Sequence, residues 1–214
     1  MRVYLEPAQP DAVAATHVVL LPAAYTGPDD FLHAGFVAAA RERGLPLDFA
    51  LAELNLAHLS DRTLLRRLRH EVVLPARARG CRSVWLCGIS LGGFVALTYA
   101  ERYPSEVDGL CLLAPYLGNR IVTGEIEKAG GVACWQAGEL APDDDERRIW
   151  SFIKRPGTPL YLGFGREDRF AASHRMMAAA LPQTAVDVLP GGHDWPVWRR
   201  LWENFLDLRL GNLS

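Results

Sequence analysis

Six short runs of apolar residues punctuate this chain, and between them apolar positions recur at helical spacing. THVVLLP around Val18, LDFALAEL around Phe49, SVWLCG around Trp85, GLCLLAP around Leu112, PLYLGFG around Tyr161 and AVDVLPG around Val188 are nearly continuous in apolar residues rather than alternating. That is the pattern of strands buried on both faces. Between them the spacing predicts helices: one opening at Asp29 and Asp30, reaching Arg43 and stopping at Gly44, and one capped by Ser60 with Leu65, Leu68 and Val72 on a single face until Pro75 disturbs it. A third is expected from Ser90 to about Arg102, ahead of Pro104. Strand followed by helix, repeated, predicts an α/β fold: a mostly parallel central sheet with helices on both faces, binding its ligand beyond the carboxyl ends of the strands.

The rhythm fails once, from Asn119 to Gly157. That stretch holds a Gly130-Gly131 break and then PDDDERRIWSFIK, which reads as a helix with acidic residues at its positive end. With 214 residues, half of them hydrophobic, the chain suffices for one well-buried core and is too short for two ordinary domains, so a single domain over residues 1–214 is expected. A net charge of -2 offers no electrostatic footprint for nucleic acid or an anionic membrane, and the basic run RRLRH reads as the solvated face of a helix. No run approaches the roughly 18 apolar residues of a membrane span. The start, MRVYLEPAQPDAV, lacks the features of a signal peptide, which makes the expected location cytoplasmic. Cys81, Cys87, Cys111 and Cys134 show no CxxC pair and read as thiols, most of them buried, rather than as zinc ligands.

Chemistry enters with WLCGISLGGFVAL, Trp85 to Leu97. Ser90 lies where a buried strand turns abruptly into a helix, flanked by Gly88 and Gly92. A nucleophile at such a turn needs a strained backbone to project its hydroxyl above the sheet, and small neighbours two residues away to keep the limbs of the turn from colliding. The amide of Leu91, at the helix start, would then point toward the place where an oxyanion forms. Gly93 would let the helix pack closely. The plainer alternative is that Ser90 only caps the helix.

With the residues that follow, the chain resembles the α/β-hydrolase family, in the branch of small bacterial-type carboxylesterases, whose triad runs serine, acid, histidine along the sequence. On that resemblance YLGFGREDRF supplies the acid, Asp168, and VDVLPGGHDWPVW supplies the histidine, His193, each just after a strand. Glu167 and Asp194 adjoin them as alternative carboxylates, with Asp168 favoured because it matches the family's acid position. His17, His33, His58, His70 and His174 are read as packed or solvated. The family's early His-Gly is replaced here by LLPAAYTGPDDF, so the second oxyanion amide is Tyr25 or Ala24 according to which residues are matched. The resemblance further implies that residues 119–157 form a cap or lid over the nucleophile, with Tyr116 and Trp135 lining the substrate pocket.

The implied function is that of a serine hydrolase of the carboxylesterase kind (EC 3.1), cleaving a small to medium, mainly apolar carboxylic ester through an acyl-enzyme. Thioesterase or acyltransferase chemistry on the same triad is the alternative, and a catalytically silent binding protein on the same scaffold is a further one. No metal or organic cofactor is expected. The expected partner is a small-molecule ester or thioester, with neither nucleic acid nor membrane, and the oligomeric state stays open.

Overall fold

The computed structural model describes residues 1–55 and 62–211; Ser60 and His58 lie outside the described residues. Its centre is a seven-stranded sheet in the order β1-β3-β2-β4-β5-β6-β7. The six apolar runs supply β2 (Thr16–Leu21), β3 (Leu47–Ala52), β4 (Ser83–Ile89), β5 (Gly109–Leu113), β6 (Leu160–Gly165) and β7 (Val186–Leu189). All six run parallel. β1 (Val3–Glu6) was not expected; it pairs antiparallel with β3 at the sheet edge. Every residue of β2, β3, β5 and β6 is buried, which is why these strands read as unbroken apolar runs.

Strand order positions the site. From β2 the chain moves outward to β3, then returns to place β4 on the other side of β2, and continues away through β5, β6 and β7. The reversal leaves a crevice at the carboxyl ends of β2 and β4, the usual ligand position in open α/β sheets. Ser90 follows β4 directly.

Two expected helices differ in detail. The stretch from Asp29 to Arg43 is divided into α1 (Pro28–His33) and α2 (Phe36–Glu42) by Gly35, whose φ of 78° no ordinary helix residue adopts. The break lets Phe31 and Phe36 both face inward, edge to face at 5.0 Å. The second helix is α3 (Leu64–Leu68), one π turn over Arg69–Val73 and α4 (Leu74–Ala78). Pro75 has no N–H for the preceding turn, and the chain passes it by widening rather than by stopping. α5 (Leu91–Arg102) follows Ser90 as expected.

The irregular segment holds two helices. α6 (Arg120–Lys128) is capped by the Asn119 side chain, which accepts from the amides of Ile121 and Val122. α7 (Asp145–Lys154) is capped by Asp144, which accepts from Arg147. The Arg147 guanidinium also meets Glu125 of α6, and Arg148 meets Glu101 of α5. Trp150 is fully buried and donates its indole N–H to the Leu117 carbonyl at 2.7 Å, clamping the segment onto the body. α8 (Ala171–Ala178) follows β6, and α9 (Trp195–Phe205) follows β7. No helix among the described residues is long and apolar enough to cross a membrane. Cys81, Cys87 and Cys111 are buried, Cys134 is exposed, and all four are free thiols.

Candidate active site

Between β4 and α5 the chain reverses at one residue. Ser90 has φ 51° and ψ -111°, a conformation that strains any residue other than glycine by about 1–3 kcal/mol. It is held from both sides: its N–H donates to the Leu113 carbonyl at 3.0 Å, and its own carbonyl accepts the Tyr116 N–H at 2.9 Å. The glycines are sterically required. A Cβ on Gly88 would stand 2.3 Å from the Gly92 carbonyl oxygen, and one on Gly92 would stand 2.0 Å from that of Leu21 at the end of β2. One on Gly93 would meet Pro115 at 2.6 Å. The elbow is thus wedged between the exits of β2 and β5.

The Ser90 hydroxyl lies 3.0 Å from His193 Nε2, and His193 Nδ1 lies 2.7 Å from an oxygen of Asp168. A carboxylate only accepts, so Nδ1 carries the hydrogen and Nε2 of the neutral ring is free to receive the serine proton. The His193 ring is gripped edge to face by Phe170 at 5.3 Å and by Trp198 at 5.0 Å. Burial pushes the Asp168 carboxyl upward, but hydrogen bonds from His193 and from the Phe170 amide outweigh it and hold the group below the usual carboxylate range. Asp168 is therefore an anion, buried yet fully engaged.

The adjoining carboxylates have other work. Asp194 caps α9 by accepting the Val197 N–H at 3.1 Å. Glu167 ties two loops together: its side chain accepts the Gly191 N–H at 2.6 Å, while its own N–H donates to the Gly191 carbonyl at 3.0 Å. Arg166 N–H donates to Leu189, and a Cβ on Gly165 would lie 2.2 Å from the Gly191 carbonyl oxygen. The acid loop and the histidine loop are packed backbone on backbone, which sets the reach from Asp168 to His193.

Leu91 is the first residue of α5, where amides have no partner within the helix. Ala24 and Tyr25 are the central residues of a turn closed by Thr26 N–H to the Ala23 carbonyl, and Tyr25 has φ 63°, as the third position of a type II turn requires. Tyr25 is 94% exposed. Tyr116 lies beside the elbow, its ring between Phe94 and Phe170 and its hydroxyl donating to Glu146 at 3.2 Å. Burial, then Glu146, push its phenol up to about 12.

Trp135 is 4% exposed, and its carbonyl accepts from Lys154 at the last turn of α7. Phe170, Trp198 and the Glu167 tie had no signal in the sequence beyond their closeness to Asp168 and His193. Among the described residues no group of three or more His, Cys, Asp or Glu side chains is gathered for a metal ion.

This sheet, with its elbow after β4, is the α/β-hydrolase fold. A family model described as serine aminopeptidase, S33, matches residues 70–145, the part that carries the elbow. No curated protein matches the sequence. Among solved structures, Est1E from Butyrivibrio proteoclasticus is similar with a TM-score of 0.63 at 13% identity, covering 96% of this chain and 93% of its own. The fluorophosphonate-binding serine hydrolase F of Staphylococcus aureus gives 0.63 at 12%, over 95% and 86%. A monoacylglycerol lipase of Paleococcus ferrophilus gives 0.59 at 14%, over the full length of both chains. At these identities the likeness is one of fold.

Proposed function

We propose that the protein is a serine hydrolase that cleaves small to medium, mainly apolar carboxylic esters. The observation that carries this reading is the unbroken line of hydrogen bonds from Ser90 through His193 to Asp168 at the sheet's switch point. His193 Nε2 takes the hydroxyl proton as Ser90 Oγ attacks the ester carbonyl carbon, and Asp168 stabilises the resulting imidazolium. The amide of Leu91 and that of Tyr25, or of Ala24 in the alternative matching, receive the oxyanion. The tetrahedral intermediate collapses with loss of the alcohol, which leaves with the proton from His193. Water, deprotonated by the neutral histidine, then cleaves the acyl-enzyme and restores Ser90. The rings of Tyr116, Phe94 and Phe170 beside the elbow support an apolar acyl group, and the segment 119–157, joined to Tyr116 through Glu146, acts as the cap.

A fluorophosphonate probe and a substrate panel test this together. Wild-type protein should be labelled at Ser90 and should hydrolyse esters faster than thioesters or aminoacyl amides of the same acyl length. Ser90→Ala should lose labelling and roughly 10^4-fold or more in kcat with little change in Tm. Turnover retained within about tenfold by Ser90→Ala removes the nucleophile assignment; fastest turnover of the amides removes the esterase reading.

A further inference from the structure

His174, on α8, has no place in the chemistry above, yet it is 0% exposed and lies behind the acid loop. Its Nε2 is 2.9 Å from the Pro115 carbonyl oxygen. Because that oxygen only accepts, Nε2 carries the hydrogen. Nδ1 is then a bare acceptor, buried and without a hydrogen-bond partner among the described residues. Burial pushes the ring down to about 4 against the opposing pull of Asp168, so it is neutral near pH 7. Phe164 packs on it at 5.1 Å. A polar ring kept in an apolar wall, with half its hydrogen-bonding capacity unused, calls for a reason beyond filling space.

The reason lies in what Pro115 holds. Ala114, just before it, has φ 47°. A positive φ is strained in alanine. Such strain persists only where the surroundings over-determine it. Here three consecutive residues are tied down: Ala114 N–H to the Gly163 carbonyl at 2.7 Å, the Pro115 carbonyl to His174, and Tyr116 N–H to the Ser90 carbonyl at 2.9 Å. Pro115 also closes on Gly93 in the first turn of α5. The exit of β5 is therefore a sprung strap across the elbow, and only the middle tie is made by a side chain.

We infer that His174 is a positioning residue for Ser90, acting through the Pro115 carbonyl and the Tyr116 amide to hold the elbow at the reach of His193. Without the tie the strap relaxes at Ala114, Tyr116 N–H draws away from the Ser90 carbonyl, and the hydroxyl leaves its line to Nε2.

The test compares His174→Gln, His174→Asn and His174→Leu. The amide nitrogen of Gln can reach where Nε2 stands; that of Asn stops near the position of Nδ1. Leu and Asn variants, assayed well below their Tm, should lose about 10- to 100-fold in both kcat and the rate of fluorophosphonate labelling, and Gln should recover most of the loss. Equal activity of the Gln and Asn variants, or a folded Leu variant labelled at the wild-type rate, overturns the inference. Should Leu and Asn fail to fold, hydrogen exchange at the Tyr116 amide of the wild type decides: protection equal to that of the β5 amides supports the strap, and exchange as free as a surface loop overturns it. The inference rests on Ser90 being the nucleophile, and the two fail differently. An unlabelled wild type removes the nucleophile; equal labelling of wild type and Leu variant removes only the role of His174.

Discussion

Acidification from pH 7 toward 4 works against two histidines sealed inside this protein. His17, on β2, is the register partner of Asp48 on β3, whose carboxylate also accepts from the Ala8 and Ala14 amides. Burial, helped by Arg79 and opposed by Asp48, pushes the His17 ring down to about 4. Burial does the same for His174, opposed by Asp168. In the unfolded chain both return to the ordinary value of 6.5. The folded value is the lower one, so between these limits the unfolded chain binds the extra protons, and stability must fall as pH falls from 6.5 toward 4. Moving one histidine from 6.5 to about 4 disfavours its cation by about 3 kcal/mol, to be set against about 5–15 kcal/mol for a whole domain. Asp168 acts in a lower window, because its carboxyl is held below the usual range and its contribution is lost only as that group is protonated. Urea unfolding at closely spaced pH values should show stability flat above the histidine window and falling within it, by up to about 1.4 kcal/mol per pH unit for each histidine. His17→Leu should remove about half of the slope. A stability that stays level from pH 7 to 4.5, or an unchanged slope in His17→Leu, refutes the reasoning.

Other substitutions separate neighbouring residues. Asp168→Asn should lower kcat by up to about 10^4 through the wrong histidine tautomer, whereas Asp194→Asn should affect mainly stability, since that side chain caps α9; the reverse ranking in kinetics at equal Tm would reassign the acid. Trp135→Ala should cost about 3–5 kcal/mol of stability yet leave the dependence of kcat/KM on acyl length unchanged, and a selective loss for long acyl esters in the folded variant would return Trp135 to the pocket.

The sheet was largely legible in the sequence because parallel strands buried on both faces leave no alternation to interpret. β1 escaped because VYLE is short and half-exposed at an edge, and its pairing with β3 spans nearly fifty residues of chain. The division between α1 and α2 could have been suspected at Gly35, but only the packing of Phe31 on Phe36 shows why a break is preferred there. At the site, Ser90 announced itself through local sterics, since the glycines around it answer to contacts within the turn and with the adjoining strand exits. Asp168 and His193 came in through the resemblance to the α/β-hydrolase family, each just after a strand. His174 could not be found this way: its partner Pro115 is 59 positions away, and nothing near either residue marks the contact.

The cross-tie between Glu167 and Gly191 bears on how this protein moves. Loops of this length ordinarily fray independently, each with its own small opening free energy. Here hydrogen bonds run in both directions between the acid loop and the histidine loop, and Gly165 leaves no gap between their backbones. Neither loop can lift without releasing the other. Asp168 and His193 therefore belong to one cooperative opening unit, so fluctuations pass between a complete hydrogen-bonded pair and a fully separated one, with little population in which the histidine is present but wrongly oriented.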